Sequence, residues 1–378
     1  MKVYDYLIVG GGIFGVYAAI YLSRKGRQVL LLEKESELLK KASIINQARL
    51  HAGYHYPRSI ATARIADEHK ERFIQEHKQF INFNFEQYYA TDKYGSFTNG
   101  SQFKRFCNFL NIRAEKVTKH ALFNLNRIES LYLTEEYSFD PVLIAEYYKE
   151  LLKAQTNVLV KMNCTIIEAY HDNDRWYVRF GEKEPADCDW IQAYAVINAT
   201  YSGTNTVNRL CNVKTLKLVH EITEMAMVSS PCLKHIGLTI MDGQFCSIMP
   251  YGLSGLLSLS SVTYTHHKES YEDNPTFDCQ NINKDCRPNY YSICNECFAK
   301  PASNHYKMIC QMKNYLADDI DLDYVSSQYT IKTKLQSSYI DDGRPTEISV
   351  LCDAPRYYCL FAGKINSIYE IESQVSNA

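Results

Sequence analysis

Residues Tyr4-Asp5-Tyr6-Leu7-Ile8-Val9 run straight into Gly10-Gly11-Gly12-Ile13-Phe14-Gly15. The β-branched and aromatic residues ending at Val9 predict a buried parallel strand. The glycines satisfy G-x-G-x-x-G. The apolar pattern from Ile13 to Lys25 predicts a helix that stops at Gly26, a residue suited to the left-handed turn after a last helical turn. Gln28 to Leu32 predicts a second strand, closed by Glu33. Each part has a physical task. Gly10 permits the tight turn, Gly12 lets a pyrophosphate approach the helix N-terminus, and Gly15 lets the helix sit close on the strand. Glu33 stands where a carboxylate accepts hydrogen bonds from ribose hydroxyls. Strand, glycines, helix, strand and acid, in that order, predict a dinucleotide site.

A chain of 378 residues suffices for one large domain or two joined ones, and 46% hydrophobic residues support a substantial core. The net charge of -2, with no long basic run, predicts no nucleic-acid partner. The apolar run Tyr6–Leu22 is broken by glycines, so no transmembrane segment is expected, and the absence of a leader pattern predicts a cytoplasmic protein. Thirteen cysteines in that setting are expected to be reduced, buried or metal-bound.

After Glu33 the chain reads Lys41-Ala42-Ser43-Ile44-Ile45-Asn46-Gln47-Ala48-Arg49-Leu50-His51-Ala52-Gly53-Tyr54-His55-Tyr56. This resembles FAD-dependent oxidoreductases of the D-amino-acid-oxidase (DAO) superfamily, nearest in motif to the glycerol-3-phosphate and L-2-hydroxyglutarate dehydrogenases. Three further segments are similar: Phe139-Asp140-Pro141 opening a helix to Leu152, with a strand expected over Val158–Glu168; Ala193–Thr200; and, near the C-terminus, Asp341–Thr346 with Phe361–Ser367. Tyr201 stands where that family has glycine, and His55 where the glycerol-3-phosphate enzymes have arginine.

The resemblance implies a mixed α/β chain, with a Rossmann-like FAD-binding domain (1–83, 138–203 and 339–378) interleaved with a mixed-sheet substrate domain (84–137 and 204–338). It implies FAD contacts from Gly10, Gly12, Ile13, Phe14, Gly15, Glu33, Lys34, Ser43, Ile166, Ala199, Gly363, Lys364 and Ile365. Gly363 and the helix start after it would face the flavin edge where negative charge develops on reduction.

His51 and His55 are the expected bases, since a near-neutral pKa suits removal of a hydroxyl proton. Arg344 is the expected anchor for a substrate carboxylate, with Arg58 and Arg49 behind it. His266-His267, at a strand end, is ambiguous. The expected activity is oxidation of a C–H bond beside a hydroxyl or amine of a small hydroxy acid, amino acid or amine, by hydride transfer to flavin N5. Oxygen, a quinone or a protein would then reoxidise the flavin. The alternative is a flavin-binding scaffold carrying an interaction module.

That module would be a Cys-rich insertion at about 277–300, polar and rich in Asn, Asp and Pro. Cys279, Cys286, Cys294 and Cys297 could close a tetrahedral structural zinc site. Free buried thiols, a redox pair at Cys294 and Cys297, or an iron–sulfur cluster are the other readings.

Overall fold

A computed structural model describes residues 1–58, 60, 63, 69–181, 189–243, 246–339, 346–361 and 363–375. Among them the strands form three sheets. In the first, β1 (Lys2–Val9) lies between β2 (Val29–Leu32) and β12 (Asp189–Asn198), both parallel to it. Beyond β2 lies β9 (Val158–Lys161), and β20 (Arg356–Phe361) runs parallel to the second half of β12. The antiparallel β10 (Thr165–His171) and β11 (Trp176–Gly181) continue from β12, and β19 (Glu347–Asp353) pairs with β20.

The helix Ile13–Arg24 follows β1 at once. Its buried face shares a core with Ile8, Leu31, Ile197 and the helix Pro141–Lys153. Gly26 takes φ +78°, as a residue ending that helix should. Asp140 caps the second helix, its carboxylate accepting from the amides of Val142 and Leu143 at 3.1 and 3.0 Å, with Pro141 in the first turn.

The second sheet runs β17 (His266–Ser270), β13 (Leu218–Ser229), β16 (Leu257–Ser261), β15 (Cys246–Pro250), β14 (Ile236–Met241), β5 (Glu86–Asp92), β7 (Ile128–Thr134), β6 (Ala114–Val117), with β18 (Asp323–Leu335) along β13. Between the two lies a small sheet of β3 (Arg49–Leu50), β8 (Tyr137–Phe139) and β4 (Ile81–Asn82).

One local expectation changes. Val158–Glu168 is not one strand: Asn163, at φ +55°, turns the chain, sending β9 beside β2 and β10 into a hairpin with β11. Among the described residues, no helix is long and apolar enough to cross a membrane.

One buried ion pair ties the small sheet to the second. Arg49 reaches Glu136 at 2.5 Å, Tyr89 Oη at 2.8 Å, Thr239 Oγ1 at 2.9 Å and Ser247 Oγ at 2.6 Å. Glu136 also accepts from Tyr89 Oη and from the Ala52 amide. Both side chains are shut off from solvent. Removing one partner strands a buried charge. Glu136→Leu should therefore cost about 3–5 kcal/mol in urea denaturation, and Arg49→Met with Glu136→Leu should recover most of it. Equal losses in the single and double variants would show that the pair is not the cause.

A second test uses pH. His220 on β13 is fully buried, with Nδ1 3.0 Å from Thr333 Oγ1, and burial pushes its pKa down from 6.5 to about 4. The folded state holds the ring neutral, so its contribution is complete above the unfolded pKa and is lost as pH falls through that window. Stability should drop by up to about 1.4 kcal/mol per pH unit there. His220→Gln should flatten that part of a melting-temperature-against-pH curve, and an unchanged slope would refute the assignment.

Candidate active site

The site begins at the carboxyl end of β1. Gly10 has φ +106°, and a Cβ there would lie 2.7 Å from the Ala199 carbonyl oxygen at the end of β12. A Cβ on Gly15 would lie 2.0 Å from the Gly10 carbonyl oxygen. Both positions therefore demand glycine, and together they seat the helix start against two strand ends. Gly12 differs. Its nearest neighbour would be Ser43 Oγ at 3.4 Å, so the space before it belongs to a cavity and not to packing. Ser43 Oγ accepts from the Ile13 amide at 3.0 Å, meeting one of the amides a helix start leaves without a partner.

Glu33 closes β2. Its carboxylate accepts from the Gly11 amide at 2.7 Å and the Glu35 amide at 2.9 Å, which fixes it at the crevice floor. A cavity of about 140 Å3 at this end is lined by Gly12, Glu33, Lys34, Ser43, Cys164, Thr165, Ala199 and Tyr201 among others. Ile166 is not among them; it lies one residue further on, buried in the core with Leu7 and Leu30.

A second cavity of about 860 Å3 shares Gly12, Ala42, Ser43, Ala199 and Tyr201 with the first and extends to the second sheet. Ile13, Phe14, His51, His55, Gly363, Lys364 and Ile365 all line it. The rings of His51 and His55 are 5.7 Å apart and edge-on, and both lie near Tyr56. Lys364 Nζ sits 4.4 Å from the centre of the Tyr56 ring, bringing the C-terminal segment onto the histidine segment. The element after Lys364 is a five-residue 3-10 turn, Ile365–Tyr369, and the Gly363 amide donates to Thr346 Oγ1 at 2.9 Å.

Arg344 lies outside the described residues. Arg49 is held in the buried ion pair, and Arg58 meets Asp242 at 2.7 Å beside the cavity.

Sequence reading missed the charged end of this cavity. Glu221 on β13, buried, lies 3.2 Å from His266 Nδ1 and 2.5 Å from Lys334 Nζ, with Lys332 at 4.0 Å. Burial acts to raise the Glu221 pKa, but His266 and the two lysines overcome it and hold the carboxyl well below its usual range. His267 is paired in turn with Glu224 at 2.7 Å. The strand-end position of His266-His267 was the only signal available, because the partners come from β13 and β18.

Tyr201 takes φ +55°, a left-handed backbone conformation that favours glycine. Its hydroxyl bonds both the amide and the carbonyl of Thr333 at 2.9 Å, holding that conformation from outside.

The expected zinc site is not formed. Among the described residues no three His, Cys, Asp or Glu side chains stand where they could hold one ion. Cys279, Cys286, Cys294 and Cys297 are free thiols with other partners. Cys286 Sγ accepts from the Ser292 amide at 3.3 Å and Cys297 Sγ from Asn283 Nδ2 at 3.3 Å. Cys279, Cys286 and Cys294 pack with Phe277, Tyr291 and Ile331, and burial pushes the Cys294 thiol up to about 12.

The residues present fit FAD: a glycine turn open to a cavity, a hydroxyl at the helix start, an acid at the end of β2, and a long continuous space reaching two histidines and a lysine. Comparisons with known proteins agree. The family model described as DAO, FAD dependent oxidoreductase, matches residues 5–277. The FAD-dependent monooxygenase FPY4 of Fusarium mangiferae is 22% identical over 369 residues, covering 96% of this chain and 87% of its own. The fold is shared with an FAD-bound L-alpha-glycerophosphate oxidase from Mycoplasma pneumoniae (TM-score 0.71, 14% identity, covering 100% of this chain and 94% of that one). It is shared also with a glycine oxidase from Geobacillus kaustophilus (TM-score 0.66, 14% identity, covering 97% and 91%). The chain belongs to the DAO family of FAD-dependent oxidoreductases.

Proposed function

We propose that this oxidoreductase removes a hydride from the carbon bearing a hydroxyl or amine in a small hydroxy acid, amino acid or amine. The observation that carries the reading is the convergence of His51, His55 and Lys364 in a cavity that shares Gly12, Ser43 and Ala199 with the dinucleotide crevice. FAD bound there supplies the hydride acceptor, at flavin N5.

The chain's own residues do the rest. An alcohol must lose its hydroxyl proton as the C–H bond breaks, and an imidazole takes it well near neutral pH. His55 is packed edge-on against Tyr56 and Tyr89, and Tyr89 belongs to the Arg49–Glu136 network, so that network fixes the imidazole's orientation. Thr223 and Thr330 line the cavity near Glu221, His266, Lys332 and Lys334, giving one end charged and hydroxyl groups against which a polar substrate orients. The family relation, and relatives named as glycine oxidase and L-alpha-glycerophosphate oxidase, support small polar substrates.

The purified protein should be yellow, and anaerobic addition of one member of a panel of 2-hydroxy acids, 2-amino acids and amines should bleach it. Yellow protein that no member bleaches would favour the flavin-binding scaffold over an enzyme. Colourless protein unable to take up FAD would refute both.

With a bleaching alcohol, His51→Ala or His55→Ala should slow flavin reduction by about 10²–10⁴-fold while leaving the bound flavin spectrum intact. With an amine substrate the loss should shrink as pH rises above the amine pKa. Stopped-flow rates within a few-fold of wild type in both variants would remove the histidines from the mechanism.

A further inference from the structure

The insertion at 277–300 does not stand apart from the dinucleotide crevice; it crosses it. Asn289, Tyr291, Ser292, Ile293 and Cys294 line the smaller cavity together with Glu33, Ser43 and Ala199. Tyr291 is the point of contact, and it is buried. On one side its carbonyl accepts from Lys34 Nζ at 2.7 Å, and its ring lies 3.6 Å from Lys34 Nζ and 4.5 Å from Lys41 Nζ. Those lysines follow β2. On the other side its hydroxyl is 2.7 Å from Ser202 Oγ, just past the end of β12. One residue thus joins the chain after β2 to the chain after β12, the two strands that flank β1. Lys40 and Glu296, 3.8 Å apart, add a second, outer contact.

The insertion is itself anchored on the second sheet. Cys286 and Tyr291 pack with Ile222 of β13 and with Tyr329 and Ile331 of β18, and the Tyr329 amide donates to Asn295 Oδ1 at 3.0 Å.

We propose that the insertion is a strap over the adenosine-diphosphate half of the FAD site, with Tyr291 as its closing residue. Retention of FAD then depends on a segment that lies outside the strand–turn–helix unit. The inference rests on FAD occupying the crevice. A tyrosine whose ring lies against two lysine side chains and whose hydroxyl bonds a serine is stiff enough to bar that end of the cavity. The flavin end, at His51 and Lys364, is left untouched by it.

The test is ligand binding to apoprotein, with FAD, ADP and FMN as probes, since ADP carries only the half under the strap and FMN only the flavin half. Tyr291→Ala should speed FAD dissociation and weaken ADP at least about ten-fold, with FMN affinity within about two-fold of wild type. Tyr291→Phe removes only the bond to Ser202 and should speed FAD dissociation by about three-fold. Equal losses for FMN and ADP in Tyr291→Ala would mean general loosening and overturn the proposal. An FAD dissociation rate in Tyr291→Phe equal to wild type would also overturn it, whether or not the alanine variant folds. Wild-type apoprotein that binds neither FAD nor ADP would instead remove the FAD reading on which the strap depends.

Discussion

The close approach of the helix Ile13–Arg24 to the end of β1 is the constraint on which the rest depends. Gly15 lies so near the Gly10 carbonyl that no side chain fits, and a side chain on Gly10 would meet the Ala199 carbonyl just past β12. These contacts bring two strand ends and a helix start to one point. Glu33 and Ser43 take the Gly11 and Ile13 amides there, and the space in front of Gly12 opens into the cavity. An anion is favoured at such a place by both hydrogen bonding and the helix dipole.

The second sheet converts a nucleotide crevice into a reaction chamber. Its position relative to the histidine segment is set by the Arg49–Glu136 pair, which reaches strands β5, β14 and β15 and also fixes the Ala52 amide beside His51. A buried ion pair is costly to desolvate and adds little net stability over apolar packing, but it is strict about geometry. Here it stands behind two imidazoles whose placement matters more than raw stability. Tyr201 shows the same trade. A strained backbone is kept, and two bonds to Thr333 tie the crevice wall to β18.

Much of this was legible in the sequence, for local reasons. Gly10, Gly12 and Gly15 have positions set by backbone geometry, Asp140-Pro141 is a helix start, and the segment from Ser43 to Tyr56 carries a family pattern. All of these are readable within a few residues. What was not legible came from pairings distant in the chain. Nothing near Arg49 announces Glu136, and nothing near Tyr291 announces Lys34 and Ser202. Zinc is not shown at the cysteines for a related reason: their spacing reports the thiols but not their hydrogen-bond donors, here Ser292 and Asn283. The strand expected across Val158–Glu168 failed because a single left-handed asparagine, Asn163, interrupts an otherwise suitable pattern.

The central claim is that the opening before Gly12 is the place where FAD binds. Gly12→Ala tests it most directly, because an added methyl would meet only Ser43 Oγ at 3.4 Å within the protein and otherwise projects toward the cavity. Equilibrium titration of the Gly12→Ala apoprotein with FAD should show affinity reduced by about ten-fold or more, with the apoprotein melting temperature unchanged. Wild-type affinity in that variant would contradict the account.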